Sequence, residues 1–298
     1  FKTIEPQGFV VDLEKQKNNR TDFDGKFEWA PIATEANLTS EPIECHIHQK
    51  FNILYANKQA MVISINDNSR NLFKLKGIKE NKVLLSLEAL ELSGQSRWSD
   101  WARKSNFDFE YALESRKVTD ILLLSINKCP ANLSLNLINV NDENRLYAKA
   151  AFYSLGHLLK KGICHYLDID SPEINMNIRL IKNENGNLKY ELFFADSLEN
   201  GAGYAKYLSE NLEEAVFQGV SQNGDLYQYL MEDRHSSICD TSCYDCIRDY
   251  HNSTYHSILD WRLGLDMVRI INNDSSETIS LNSDHWKNFS ENAIKGLI

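Results

Sequence analysis

The chain has 298 residues and carries 32 Lys and Arg against 42 Asp and Glu, a formal net charge of −10 at pH 7. Hydrophobic residues make up 42% and charged residues 25%, which excludes a disordered, collagen-like or disulfide-dense chain. The acidic balance argues against a simple basic nucleic-acid binder, and no run of about 18 apolar residues is present to span a membrane.

The charge is unevenly placed. Residues 1–150 hold 20 basic and 20 acidic side chains, while residues 151–298 hold 12 and 22. The whole excess therefore sits in the second half. The first residue is Phe1, and FKTIEP lacks the basic, apolar and small-residue succession of a signal peptide. We expect a piece of a longer protein. N-x-[ST] sequons occur at Asn19, Asn37, Asn132, Asn252, Asn273 and Asn288, as the abundance of Asn and Ser makes unsurprising.

In chain order, residues 1–40 are polar, and Asp12 to Lys26 reads as loop. FNILYAN (51–57), AMVISIN (60–66), KVLLSLEAL (82–90) and VTDILLLSI (118–126) are rich in branched and aromatic residues at strand length. SLNLINV (134–140) alternates like a strand. From Arg145 to Asp168 the pattern changes. Apolar residues recur at Ala151, Leu155, Leu158, Leu159, Ile163 and Tyr166, the spacing of an amphipathic helix.

Ser171-Pro172 marks a turn. INMNIRLI (174–181) and KYELFFAD (189–196) read as a hairpin turning through Asn183–Asn187 with Gly186. Helices are expected over Gly203–Phe217, over LYQYLMED (226–233) and near Thr254–Ile271, followed by a polar tail with Trp286. The fold class is α+β, with a β-rich sub-region over residues 1–144 and a helix-rich sub-region over residues 145–298.

Six cysteines are present: Cys45, Cys129, Cys164, Cys239, Cys243 and Cys246. A disulfide framework would spread them in pairs along a small secreted chain, whereas three within eight residues read as metal ligands in a reduced, cytoplasmic protein. The cluster is His235-x3-Cys239-x3-Cys243-x2-Cys246. Three thiolates and one imidazole complete the tetrahedral sphere of zinc and leave no position for water, so such a site is structural. His235 is the first choice for fourth ligand; His251, His256, Cys45 and Cys164 remain open. Buried inert thiols are the bland alternative, but Asp240, Thr241, Ser242 and Asp245 around them are polar. A redox Cys243-x2-Cys246 pair lacks the surrounding βαβ pattern.

Gly201 and Gly203 separate a strand from a helix in ADSLENGAGYAKYL (195–208). Amides at such a helix start can hold an anion, although the dinucleotide fingerprint and a Lys-[ST] pair are missing. A tight structural turn is the favoured reading. Arg262 could pair with Asp266, and Asp260 could orient a histidine ligand, with helix capping and packing the slightly favoured reading. Trp98 and Trp101 beside Arg97, Arg103 and Lys104 form an aromatic-basic patch able to stack on single-stranded bases, or a core face. Asp168, Asp170 and Glu173 at a helix end suggest caps before they suggest a catalytic carboxylate site. The chain holds no Walker-type phosphate loop.

The block CDTSCYDCIRDYHNSTYHSILDWRLGLDM (239–267) resembles the end of the MrfA-type zinc-binding (MZB) domain, in the version of DrmB-like proteins of the DISARM phage-defence system. TDILLLSI (119–126), FADSLENGAGYAKYL (194–208) and EPQGFVVD (5–12) are similar to further segments of that family. The resemblance implies that Cys239, Cys243 and Cys246 bind zinc, with His235 where many relatives carry a fourth Cys. It also implies a C-terminal module of superfamily 2 helicases or of their partner subunits.

The resulting expectation is an accessory module that does no catalysis itself. It would position DNA or a helicase partner, would contain a structural Zn2+, and would have no membrane partner. The alternatives are a metal-dependent nuclease or hydrolase using Asp168, Asp170 or Asp196, and a pure protein-protein scaffold.

Overall fold

The computed structural model describes residues 2–5, 32–37, 45–66, 72–78, 83–86, 107–126, 144–182, 188–272 and 288. The expected strand at 134–140, the Trp98–Trp101 patch, the Gly186 turn, the Asp12–Lys26 loop and the Trp286 tail lie outside the described residues. Nine strands are described: β1 (Thr3–Ile4), β2 (Ile32–Asn37), β3 (Cys45–His48), β4 (Ile53–Asn66), β5 (Phe73–Ile78), β6 (Val83–Ser86), β7 (Phe107–Ile126), β8 (Ile174–Lys182) and β9 (Leu188–Asp196). The described helices are α1 (Asn144–Leu167), α2 (Tyr204–Glu210), α3 (Asp225–Met231), α4 (Asp233–Ser236) and α5 (Trp261–Ile271). The α+β class is thus observed, with strands dominating the first half and helices the second. No helix among the described residues is long and apolar enough to cross a membrane.

The chain divides into two compact units, residues 1–35 with 63–116 and residues 36–62 with 117–298. In the first, β5 pairs antiparallel with β6 and with residues 107–111 of β7, and β1 runs parallel to β7 at Ala112–Leu113. In the second, β3 and β4 form a hairpin. There β9 lies between β8 and residues 121–124 of β7, antiparallel to both.

The second unit has a sheet buried on both faces. Leu122, Leu124, Leu192 and Phe194 point into the main core, while Ile121, Leu123, Phe193 and Ala195 pack with Ala60 and Val62 on the other face. This two-sided burial is why ILLLSI and LFFA read as continuous apolar runs rather than as alternation. Where two strands were expected over 51–57 and 60–66, one 14-residue strand runs through. Asn57, Lys58 and Gln59 are polar but include neither Pro nor Gly, so nothing breaks the extended backbone.

Helix α1 is more deeply buried than an amphipathic helix. Every residue from Ser154 to Lys160 is buried, including His157 and Lys160, whereas Tyr166, expected on the core face, is 39% exposed. Phe152, Leu155, Leu158, Leu159 and Ile163 are fully buried in the main core. Removing a side chain such as Phe152 there would cost about 3–5 kcal/mol.

The single helix expected over Gly203–Phe217 is broken. It runs as α2, then a π-helical turn over Leu212–Phe217, then a 3-10 turn over Gln218–Val220. The helix expected near Thr254–Ile271 is likewise two elements, a 3-10 stretch over Tyr250–Ile258 and then α5. Asp260 forces that break. Its backbone is extended, and its carboxylate accepts from the Arg262 N–H at 2.9 Å, the mark of a helix N-cap.

Candidate zinc centre

The site is assembled from two short pieces of chain. Glu232 has an extended backbone (ψ 142°) that ends α3 and starts the four-residue α4. The helical path continues past it, because the Cys239 N–H donates to the His235 carbonyl at 2.9 Å. The three-residue gap between His235 and Cys239 is therefore one helical turn, which puts both side chains on one face. The second piece is a knuckle. The N–H groups of Cys246 and Arg248 both donate to the Cys243 carbonyl, at 3.2 and 3.0 Å, and the Cys243 N–H points at the Cys246 sulfur at 3.0 Å. Arg248 Nε donates to Ser242 Oγ at 2.8 Å and braces this turn.

These pieces bring His235, Cys239, Cys243 and Cys246 together, with their donor atoms all within 4.8 Å of one another. The Cys243 and Cys246 sulfurs are 3.6 Å apart, those of Cys239 and Cys246 4.0 Å, and Cys243 Sγ is 3.6 Å from His235 Nε2. A tetrahedron with Zn–S bonds of about 2.3 Å has edges of about 3.8 Å. The donor set and its spacing fit zinc in both chemistry and size.

The imidazole is oriented for the task. His235 Nδ1 lies 3.0 Å from the Leu230 carbonyl. A carbonyl only accepts, so Nδ1 carries the proton and Nε2 turns its lone pair toward the thiols. Tyr229 and Trp261 flank the ring, with centroids at 5.4 and 5.2 Å. Burial pushes the Cys246 thiol up to about 11 and the Cys239 thiol up as well, and in both cases the neighbouring sulfurs add to the shift. A divalent cation reverses that preference by drawing thiolate charge to itself.

The other residues weighed as ligands lie elsewhere. His256 Nε2 contacts the Asp249 carbonyl and Asn252 Oδ1, at 3.0 and 2.8 Å. Cys164 is on α1, Cys45 begins β3, and His251 packs edge-on against Tyr250. Asp260 pairs with Arg262, at 3.0 and 2.9 Å, and Asp266 pairs with Arg269 at 3.4 Å.

The carboxylates considered for catalysis hold local structure. Asp196 is fully buried and accepts the backbone N–H groups of Ala202, Gly203, Tyr204 and Ala205, at 2.7, 2.7, 3.1 and 2.9 Å. The anion at the glycine turn is thus the chain's own. Gly203 has φ 88°, which lets the amides fan inward. Asp170 and Glu173 form a capping box on the 3-10 turn Ser171–Glu173. Asp168 ends α1 with φ 53°.

One buried polar group escaped the sequence reading. His157 Nδ1 is 3.1 Å from Asn252 Nδ2, so it accepts and Nε2 bears the proton; Nε2 has no hydrogen-bond partner among the described residues. Burial holds this imidazole neutral, with a pKa of about 3.

A Cys3His cluster of four converging donors, three of them on buried residues, in an α+β unit fits the class of proteins with a structural zinc centre. Comparison with known proteins narrows the class. Residues 155–247 match the family model of the MrfA Zn-binding domain, MZB, and with the Cys3His cluster this match supports structural zinc as the cofactor. The Druantia protein DruE of Escherichia coli (strain UMEA 4076-1) is 30% identical over 128 residues, which is 42% of this chain and 6% of that protein. The crystal structure of DUF1998 helicase MrfA bound to DNA aligns at a TM-score of 0.41 and 14% identity, covering 82% of this chain and 26% of that one. The same helicase bound to DNA and AMPPNP gives 0.31 and 13%, covering 79% and 22%. The chain spans a small part of each of these relatives.

Proposed function

We propose that this chain is a zinc-stabilised accessory module of a helicase-associated DNA-processing or phage-defence protein of the DISARM DrmB-like kind, and that it positions DNA or a helicase partner. The observation that carries this reading is the convergence of His235, Cys239, Cys243 and Cys246 inside the segment that matches MZB. We assign these four residues as the zinc ligands. With four protein ligands the metal has no open position for water, which suits scaffolding rather than hydrolysis. The acidic second half is suited to a protein contact, and the neutral first half to DNA. The local structural roles of Asp170 and Asp196 weigh against a nuclease built on those two carboxylates.

Fluorescence anisotropy of labelled single-stranded and duplex DNA with the zinc-loaded chain tests the DNA part. Binding that weakens linearly in log–log with salt is the expected result. Lack of binding at low salt would leave only the protein-positioning role, and DNA cleavage by the chain would overturn the accessory reading.

A further inference from the structure

The segment that carries the zinc ligands also carries an outward apolar pair. Ile238 is 79% exposed, the highest value for a large hydrophobic among the described residues, and Tyr244 is 62% exposed. Single exposed apolar side chains are ordinary. These two, however, stand at the rim of one metal centre. Ile238 precedes Cys239 and Tyr244 follows Cys243, and the sulfurs of those cysteines lie within 4.8 Å of each other. Given the reach of two cysteine side chains, the Cα atoms of Ile238 and Tyr244 are at most about 18 Å apart, the length of five or six extended residues.

Both side chains sit on fixed backbone. The Ile238 N–H donates to the His235 carbonyl at 3.1 Å. Tyr244 lies inside the turn closed by the Cys243 carbonyl, and its ring meets that of His256 edge-on at 5.6 Å. A metal that joins the two pieces of chain holds them at one separation, so little ordering entropy is lost when a partner settles on them.

The electrostatics of the rim select the partner. Glu232, Asp233, Asp240 and Asp245 are exposed. Arg234, the one exposed Lys or Arg between residues 229 and 247, is held by Glu232 and lies 5.4 Å over the Tyr229 ring. No lysine occurs between Lys206 and Lys287. Arg248, Arg262 and Arg269 are engaged by Ser242, Asp260 and Asp266. Three thiolates and a neutral imidazole around Zn2+ add a net charge of about −1. Such a rim repels nucleic acid and anionic lipid, and two copies of it facing each other repel as well. A cationic polypeptide is attracted.

We infer that the rim of the zinc centre around Ile238 and Tyr244 is a docking face for a basic segment of another polypeptide, whose apolar side chains seat against this pair while its Lys or Arg residues meet Asp240 and Asp245. This inference rests on the protein-contact reading of the acidic half and names the chemistry of that partner.

The test is an amide NMR titration of the full zinc-loaded chain with acetyl-Lys-Leu-Lys-Lys-Leu-Lys-amide. Its controls are an analogue with both leucines replaced by serine, one with all lysines replaced by glutamate, and a single-stranded DNA oligonucleotide. The basic apolar peptide should give saturable shifts centred on residues 238–245. The serine analogue should bind at least about fivefold more weakly, and the glutamate analogue should not bind. Ile238→Ser and Tyr244→Ser should each weaken the peptide by about three- to tenfold with zinc content unchanged. Leu198→Ser, 65% exposed on the glycine turn, should leave binding unaltered. No saturable shift at millimolar peptide, equal binding of the serine analogue, or an unchanged affinity in Ile238→Ser would overturn the docking face alone. Stronger DNA shifts at the same residues would overturn it together with the protein-contact reading. A dimer of the chain that buries the pair would give the face to a second copy and overturn it too. If Tyr244→Ser loses zinc, Ile238→Ser still decides.

Discussion

The Trp261 indole N–H donates to the Cys239 carbonyl at 3.2 Å, across 22 residues of chain. The Trp261 backbone N–H also donates to the Thr241 carbonyl at 3.0 Å, and the indole edge lies against His235. The first residue of α5 is therefore bonded to the loop that carries the zinc ligands. Because α5 packs along α1, metal occupancy is linked to the centre of the core. Trp261→Phe keeps most of the packing and removes the indole donor, leaving a buried carbonyl unpaired. The expected loss is about 1–3 kcal/mol in chemical denaturation, with zinc content retained.

The ligand assignment makes a sharper prediction. Cys246 is fully buried and lies within 3.6–4.0 Å of two other sulfurs. Cys246→Ser should abolish stoichiometric zinc and destabilise the fold by about 4 kcal/mol or more, the scale reserved for losing a structural metal. Cys164→Ser, away from the cluster, should leave metal content unchanged, as plasma mass spectrometry of both variants would show.

Asp196→Asn tests the closed glycine turn. The amide keeps one acceptor but turns an NH2 toward N–H donors, where the carboxylate satisfies four. A loss of about 3 kcal/mol is expected from urea denaturation. Zinc binding should persist, because Asp196 is not a ligand.

Acid sensitivity should trace partly to His157. Its folded pKa is depressed to about 3, with burial the largest cause; Lys160 and His256 lower it further and Asp249 opposes them. The unfolded chain titrates near 6.5. Above that pH His157 has no effect on stability. Below it the unfolded state takes up a proton that the folded state refuses, so stability falls by at most about 1.4 kcal/mol per pH unit down to the folded pKa. His157→Gln should flatten the stability profile between about pH 6.5 and 4 relative to the parent chain, measured by denaturation at fixed zinc.

Some of this was legible in the sequence and some was not, for definable reasons. The β8–β9 hairpin and α1 followed from periodicity, since tertiary context agrees with local pattern there. The breaks at Asn211 and Asp260 were hidden. An N-cap Asp inside an apolar run looks like any polar position until its neighbour's N–H turns toward it. The convergence of His235 with the three cysteines follows from short local spacings, each one turn or one knuckle. Its supports, the Leu230 carbonyl and the Trp261 indole, are respectively a backbone atom and a residue 22 positions from Cys239, and neither leaves a signature in spacing. Asp260 is the converse case: helix capping is the slightly favoured reading over orienting a histidine, and Asp260 is the N-cap of α5 with Arg262 two residues away as its ion-pair partner.

The most direct test of the central claim is zinc stoichiometry and thermal stability of the purified full chain, before and after a strong chelator. The account predicts stoichiometric zinc, lost in parallel with a steep drop in melting temperature, and restored with it on adding zinc back. A chain purified under reducing conditions that carries no zinc, and that melts identically with and without chelator, would contradict it.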